Sequence, residues 1–491
     1  MALYLGRQKI APVVNTIDVA LADATESDVR AGKTFFSGND ELKTGTFELK
    51  LQEKTTNQNG EVVADIGYDG LSKVVVDVSS SGAIGEYLVK VIDYDGEILK
   101  QEYLNAGDTF TLPDAPTNHE RLVFQEWSSA VDIIDNTVIV ENQDITIGAV
   151  YTTASGLSEF DIELTKVTGL NVTLRISGTK NWGDGTIDTS TTHTYTNYGK
   201  YMITCDGSTI SRVGQQTSTN PNCYITNIRL SNITSISSQA FQYCSSLRNV
   251  TIPVGITSIE SYTFQYCYSL KQIIIPRGVT GIGRYASQHC YSLTNVTIPS
   301  GVTNIEERAF DSCQNLTSIT LPNSVTSIEI YAFYYCMGLT GQLTIPESVT
   351  SLGGDVFEKC HNLAKVKILS NLTSFGEYRC FSYCHNLTEI NIPSTITNMG
   401  NYTFENCYNL RRIDIPSAVT SIGSNLFSNC YNLMTYDFSK LVSVPTLSNT
   451  NVFRNINKAA KIIVPDALYD EWIAATNWIT YADYIYKVSE V

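Results

Sequence analysis

The sequence predicts a mainly β chain: small β-domains, then a solenoid of short repeated coils, then a C-terminal helical cap. Three observations carry this. Nine cysteines recur at intervals of 23 or 24 residues: Cys244, Cys267, Cys290, Cys313, Cys336, Cys360, Cys384, Cys407 and Cys430. Leu stands three residues after each, from Leu247 to Leu433, and Phe three residues before each, except where Ser287 takes the slot. Ahead of this ladder, residues 86–151 alternate apolar and polar side chains in short runs separated by turn residues, the pattern of half-buried strands.

In the front half, EYLVKVIDYDG, ILKQEYLNAGD, TFTLPDAP, RLVFQEW and ITIGAVY read as successive strands, with Asp95-Gly96 as a hairpin turn. Their order resembles the small β-domains of the internalin B repeat type, which implies a spacer or contact module over residues 83–153. Residues 154–214 contain Trp182-Gly183-Asp184-Gly185-Thr186 and HTYTNYGKYMI, residues 193–203. This resembles the polycystic-kidney-disease (PKD) type β-sandwich, although the segment is short for a complete one. Asp184 and Asp188 offer too few oxygens for Ca²⁺, which takes six to eight, so a structural turn is expected there.

One repeat, residues 309–331, reads AFDSCQNLTSITLPNSVTSIEIY. Phe310 and Cys313 are spaced as on one helical turn. Leu316, Ile319 and Leu321 mark a short strand that Pro322 ends, and Val325 and Ile328 mark a second. A unit this small closes no core of its own, but stacked units bury a continuous one. At roughly 4.8 Å per coil, nine coils span on the order of 45 Å. The extra residue of the two longer units falls near Gly341 and near Tyr378–Cys380, in expected turns. Cys380 occupies a slot used by Ala309 and Ala332, so it reads as a small buried residue. These residues resemble the BspA-like class of bacterial leucine-rich repeats over residues 223–465. The resemblance implies a curved leucine-rich-repeat solenoid, placed here at residues 215–465, that binds other molecules and catalyses nothing. The C-terminal segment 466–491 changes period. Pro465 and Asp466 start a helix carrying Leu468, Trp472 and Ile473, as a cap over the last coil requires.

Composition excludes several functions. Asp and Glu outnumber Lys and Arg by 49 to 33, for a net charge of −16, and no basic block occurs. A nucleic-acid partner, held by neutralising phosphates, is therefore not expected. No run of 18 apolar residues exists to span or insert in a membrane. The first residues, Met-Ala-Leu-Tyr-Leu-Gly-Arg, lack the apolar region of a secretory signal, so the cysteines are expected as reduced thiols. Metal is disfavoured because zinc sites pair close Cys spacings, and Cys380-x-x-x-Cys384-His385 has no second pair. Nine parallel side chains cannot all form disulfides. The ladder therefore reads as buried small hydrophobes. No phosphate loop, nucleophile elbow or placed carboxylate pair appears, so no enzyme and no cofactor is expected.

Tyr outnumbers Phe by 29 to 17, a surplus that points to half-exposed rings. Tyr268, Tyr291, Tyr408 and Tyr431 directly follow ladder cysteines, and Tyr243, Tyr266, Tyr335 and Tyr383 directly precede them. His289, His361 and His385 use the same slots, and Tyr262, Tyr285, Tyr331 and Tyr402 lie a few residues upstream. With Cys facing inward, these rings either form a ligand-binding stripe, as tyrosines do in paratopes, or merely cover the turn layer; both readings stay open.

In the first 82 residues, AGKTFFSGNDELKTGTF and YDGLSKV resemble N-terminal regions and a short motif of bacteriophage tail and tail-fibre proteins. That resemblance implies an anchor at residues 1–50, joined by a motif or linker at 51–82, that binds other virion or tail proteins. The expected function is host attachment by a virion tail protein assembled in the host cytoplasm, with the solenoid binding a surface glycan or protein. The alternatives are a structural virion decoration without a ligand and a bacterial surface adhesin. A homo-oligomer is compatible with either, although no heptads enforce one. The repeat register makes its own prediction. Leu316→Ala should lower stability by about 2–5 kcal/mol, the cost of a core cavity, while Gln314→Ala, in a turn slot, should cost far less. Denaturation midpoints of the two variants check it, and equal midpoints would break the register.

Overall fold

The computed structural model describes residues 87–117, 119–165, 170–214 and 224–491, and before them the backbone of seven short strands between Leu3 and Asp77. The chain divides into two units, residues 1–85 and 86–491. In the first, Leu3–Leu5 pairs with Gln8–Ala11 and Lys33–Ser37 with Glu41–Gly45, both antiparallel. Val74–Asp77 lies between Ile17–Asp18 and Glu61–Ala64 in a three-stranded sheet. Most of the expected anchor, 1–50, and of the motif, 51–82, lies outside the described residues.

The second unit opens with a small β-domain. Tyr87–Ile92 and Ile98–Leu104 form the antiparallel hairpin that the alternation predicts. It turns at Gly96, whose φ of +95° suits glycine. Ile145–Thr153 then runs parallel to Tyr87–Ile92 on one side and antiparallel to Leu122–Ser129 on the other. Val89, Val91, Phe110, Val138, Ile145 and Ile147 fill the core of this domain.

The next segment does not stand apart from the repeats. Ser158–Leu164 pairs with Gly199–Cys205 and also with Ile225–Arg229, which in turn pairs in parallel with the first repeat strand, Asn249–Thr251. On the opposite sheet, Asn171–Ile176 pairs with Thr209–Val213, which pairs in parallel with Ser235–Ile236. The two sheets of this sandwich thus run on into the two strand ladders of the solenoid. One apolar core extends from Phe160 to Ile485. The sandwich covers the apolar end of the first coil, as a solenoid terminus requires.

The solenoid makes about 12 turns. Most coils carry a first strand, such as Gln272–Ile274, and a second, such as Gly281–Ile282, paired in parallel and in register with a neighbouring coil. The strand expected from Leu316, Ile319 and Leu321 does not form: residues 318–321 are irregular, and Ser318 and Thr320 bond to the small β-domain instead. The third side is not a helical turn. It is a pair of tight turns closed by bonds such as Cys313 N–H to Phe310 O at 3.2 Å and Leu316 N–H to Cys313 O at 3.1 Å. Arg308, Phe310 and Ser312 N–H groups reach forward to Ile330, Ala332 and Tyr334 carbonyls at 3.2, 2.9 and 2.7 Å. Each coil is therefore bonded to its neighbour along three lines.

All nine ladder cysteines, and Cys380, are buried free thiols. They are more than space fillers. Cys267, Cys290, Cys336, Cys360, Cys384, Cys407 and Cys430 each donate S–H to the carbonyl of the preceding coil's Phe, at 3.1 to 3.4 Å. Cys313 donates to Ser287 O at 3.2 Å, where serine replaces that Phe. The column thus stitches coils together through a weak donor that apolar residues of the same size lack.

At the C-terminus the expected helix is short, Tyr469–Ala474, and flanked by 3-10 turns at Asp466–Leu468 and Trp478–Tyr484. Trp472 and Trp478 are fully buried against Phe438 at 5.2 and 5.5 Å between ring centroids. Ile485–Lys487 then pairs in parallel with Lys461–Val464 as a last rung. Among the described residues no helix is long and apolar enough to cross a membrane.

The small β-domain folds back onto the solenoid's first strand ladder. Lys90 Nζ reaches Asn295 Oδ1 at 2.7 Å and Ser318 Oγ at 3.2 Å. Gln272 Nε2 donates to Asp93 O at 2.6 Å, and the Thr320 and Thr344 hydroxyls donate to Asp144 O and Asn142 O, both at 2.7 Å. Gly148 lies so close that a Cβ there would stand 2.7 Å from Ile274 Cγ2. Sequence alternation predicts the strands of this domain but carries no sign of where its outer surface docks.

Burial sets the thiol chemistry. It pushes Cys430 up to about 12 and raises Cys290, Cys313, Cys336, Cys360, Cys384 and Cys407. Since the thiolate is the reactive form, none of the nine ladder thiols should react with a thiol reagent in the native protein near neutral pH. All should react after denaturation. Titration before and after unfolding checks this, and fast labelling of the ladder in the native state would contradict it.

Candidate functional site

The candidate site is the turn layer around the Cys column. Two backbone slots in each coil lie in the left-handed region. The residue five before Cys has φ from 47° to 63°, as at Tyr262, Tyr285, Tyr331 and Tyr402. The residue just before Cys has φ from 57° to 64°, as at Tyr243, Tyr266, His289, Tyr335 and Tyr383. A non-glycine residue there costs roughly 1–2 kcal/mol. Forward bonds from the same N–H groups, such as Tyr266 N–H to Gln288 O at 2.9 Å, offset that cost.

Because each slot repeats once per coil, its rings stack. Before the Cys column, Tyr243 stacks on Tyr266 at 4.7 Å and Tyr266 on His289 at 4.9 Å, with ring planes within 14°. Ser312 interrupts this column, and Lys359 separates Tyr335 from Tyr383. After the Cys column, Tyr268 stacks on Tyr291 at 5.2 Å. Gln314 and Met337 follow, and the column resumes as His361, His385, Tyr408 and Tyr431 at 4.5, 4.5 and 5.5 Å. The four tyrosines expected in one line thus form two pairs with four coils between them, two without a ring and two whose histidines join the second pair's stack. Five residues upstream, Tyr262 stacks on Tyr285 at 4.9 Å, the Arg308 guanidinium lies 4.0 Å over Tyr331, and Arg379 lies 4.7 Å over Tyr402.

The stacking decides what these rings can do. Faces within a column are occupied by neighbouring rings, so hydroxyls and ring edges are what solvent meets. Tyr291 and Tyr431, each at the end of its stack, are the most open of the eight tyrosines, at 37% and 49% exposure. Beneath the rings runs a polar ladder that the sequence reading overlooked. Gln242 Nε2 donates to Gln265, Gln265 to Gln288, and Gln288 to Asp311, at 2.5, 2.5 and 2.8 Å. The signal was legible, since these residues share the slot two before Cys. His385 Nε2 is buried without a hydrogen-bond partner.

Asp184 meets His193 Nε2 at 2.7 Å and accepts Thr186 N–H, and Asp188 accepts the Trp182 indole N–H at 2.9 Å. Among the described residues no His, Cys, Asp or Glu cluster is arranged to hold a metal.

The model of the BspA type leucine rich repeat region family, present in six copies, matches residues 216–340 and 339–460. Residues 216–460 are a BspA-type leucine-rich repeat domain. Solved structures similar to the chain include a leucine rich cell surface protein from Faecalibacterium prausnitzii. It is 26% identical, with 55% of this chain and 80% of that chain covered and a TM-score of 0.37. A leucine-rich repeat protein from Bacteroides ovatus is 23% identical over 65% of this chain and 98% of its own, with a TM-score of 0.36. A leucine rich repeat protein from T. pallidum is 26% identical over 36% and 72%, with a TM-score of 0.30. A search of curated proteins finds no match.

Titration of the BspA-type turn layer should show in its stability. Burial pulls His289, His361 and His385 below the usual histidine value. The unfolded chain therefore takes up protons first, and stability falls as pH drops through about 6.5. Glu358 works the other way. Burial and then a hydrogen bond shared with Asp355 push it up to about 7, so the folded state holds the extra proton and stability falls as pH rises towards that value. Melting temperatures between about pH 5 and pH 8 check both signs. Changing His361 and His385 to Asn should flatten the acid limb. Glu358→Gln should raise the melting temperature more at pH 8 than at pH 5.

Proposed function

We propose that this protein attaches a phage tail to its bacterial host, the repeat domain binding a glycan or protein on the cell surface. The observation that carries attachment is the BspA-type solenoid with ring columns whose hydroxyls and edges face outward, a rigid amphipathic surface of the kind hot spots favour. The tail placement rests on the resemblance of AGKTFFSGNDELKTGTF and YDGLSKV to tail-protein segments, which would join other virion proteins. A second reading, a bacterial surface adhesin, is equally supported, because the repeat class resembles bacterial surface antigens. Both readings assign binding and no catalysis. Immunogold labelling of particles against cell envelopes separates them.

The binding surface has its own test. Changing Tyr268, Tyr291, Tyr408 and Tyr431 together to Phe removes four hydroxyls and keeps the stacks. Cell adsorption should weaken about tenfold or more, with an unchanged melting curve. Unchanged adsorption would mean that these four hydroxyls make no contact with the host.

A further inference from the structure

The small β-domain and the solenoid enclose a cleft of about 530 Å³ between them, within the size range of small-molecule sites. One wall is formed by Ile139, Glu141 and Gln143, the other by Asn323, Pro346 and Glu347. Gln143 is 95% buried (5% exposed). Its Nε2 donates to Leu321 O at 3.2 Å, while its Oε1 is buried with no hydrogen-bond partner. Such an acceptor calls for a donor that the protein does not supply.

The surrounding groups are unbalanced in the same direction. The hydroxyls of Thr344 and Ser348 are already spent on Asn142 O and Val325 O, both at 2.7 Å. Lys367, just outside, is engaged by Asn142 Oδ1 at 3.1 Å and Tyr87 OH at 3.4 Å. No Lys, Arg or His lines the cleft. Glu141 accepts Asn323 Nδ2 at 3.1 and 3.2 Å, and neither it nor Glu347 has an ion-pair partner among the described residues. An acceptor and negative charge are left over on the cleft walls. Ile139, 61% exposed, and Pro346 add apolar surface.

We propose that this cleft binds an amino sugar carrying a free ammonium. The ammonium is held by the Glu141 and Glu347 carboxylates, a ring hydroxyl donates to Gln143 Oε1, and the C–H face of the ring lies on Ile139 and Pro346. The inference rests on the surface-attachment reading and adds to it a saccharide class and a second contact point, away from the ring columns.

Titration of the full chain with glucosamine, N-acetylglucosamine, glucose and lysine methyl ester, followed by calorimetry or saturation-transfer NMR, tests it. Glucosamine should bind saturably, and the two uncharged sugars about tenfold more weakly, the loss of one charge-assisted bond. Glu141→Gln with Glu347→Gln should reduce glucosamine binding by at least about tenfold without moving the melting curve. Gln143→Met should also reduce it; if that variant melts early, the carboxylate pair decides. No saturable glucosamine binding, equal binding of N-acetylglucosamine, undiminished binding by the carboxylate variant, or lysine methyl ester binding as well as glucosamine would each overturn the proposal. The four-tyrosine adsorption assay is independent of these titrations, so the cleft can fail while surface attachment stands.

Discussion

Every coil must rise by the same amount along three lines of backbone hydrogen bonds, and the rest of the structure follows from that. The first strands, the second strands and the turn layer each bond forward to the next coil. A residue gained or lost is tolerated where the inter-coil bonds can still be made around it. The two 24-residue units accordingly carry their additions near Gly341 and near Tyr378–Cys380. The same constraint selects the core columns. Leu, Phe and Cys recur because each slot meets its own copy one coil away, so any change in volume is felt against both neighbours. Cys adds an S–H donor aimed at the preceding coil's carbonyl, a cross-link of modest strength at a place where water has no access.

A stack of this kind ends in exposed apolar edges, and the chain resolves its two ends differently. At the front, a sandwich merges both of its sheets with the strand ladders, so the core continues from Phe160 without a break. At the back, two tryptophans and a final parallel strand close the last coil. The small β-domain does something else: it lies along the first strand ladder and occupies the face beside Ile274, Asn295 and Thr320. That part of the sheet is closed to a partner. The open surfaces include the turn layer, the sheet beyond Lys365, and the cleft at the edge of the β-domain.

The repeat was legible because stacking imposes a period on one-letter text: Cys244 to Cys430, the Leu column and the Ile-Pro strand ends all mark coil boundaries. The Asp95-Gly96 hairpin was legible because local turn chemistry decides it. Docking of the β-domain was not, since Lys90, Gln143 and Gly148 meet partners more than a hundred residues away and no periodicity links them. The helical reading of Phe310 and Cys313 failed for a related reason. An i, i+3 spacing also suits tight turns, and bonds to the neighbouring coil, invisible in one unit, favour turns. Of the candidate site, the slots were legible and their stacking was not. Equivalent position in sequence reveals a column, but ring orientation depends on the left-handed backbone that holds Tyr266 and His289.

That orientation governs how the turn layer meets a ligand. A sugar or peptide that recognises tyrosine through its ring face needs a free face, yet rings within a column sit 4.5 to 5.5 Å from their neighbours with nearly parallel planes. Equal coil rise enforces this spacing, so the faces are consumed by the same constraint that builds the fold. Free faces belong to stack ends, as at Tyr291 beside Gln314 and at Tyr431 beyond the last stacked ring. Elsewhere the surface offers hydroxyls and edges at coil spacing. The protein therefore presents a row of regularly spaced polar contacts, suited to a partner that repeats or extends along the solenoid, whereas the β-domain, where it folds back, gives a compact ligand a second wall.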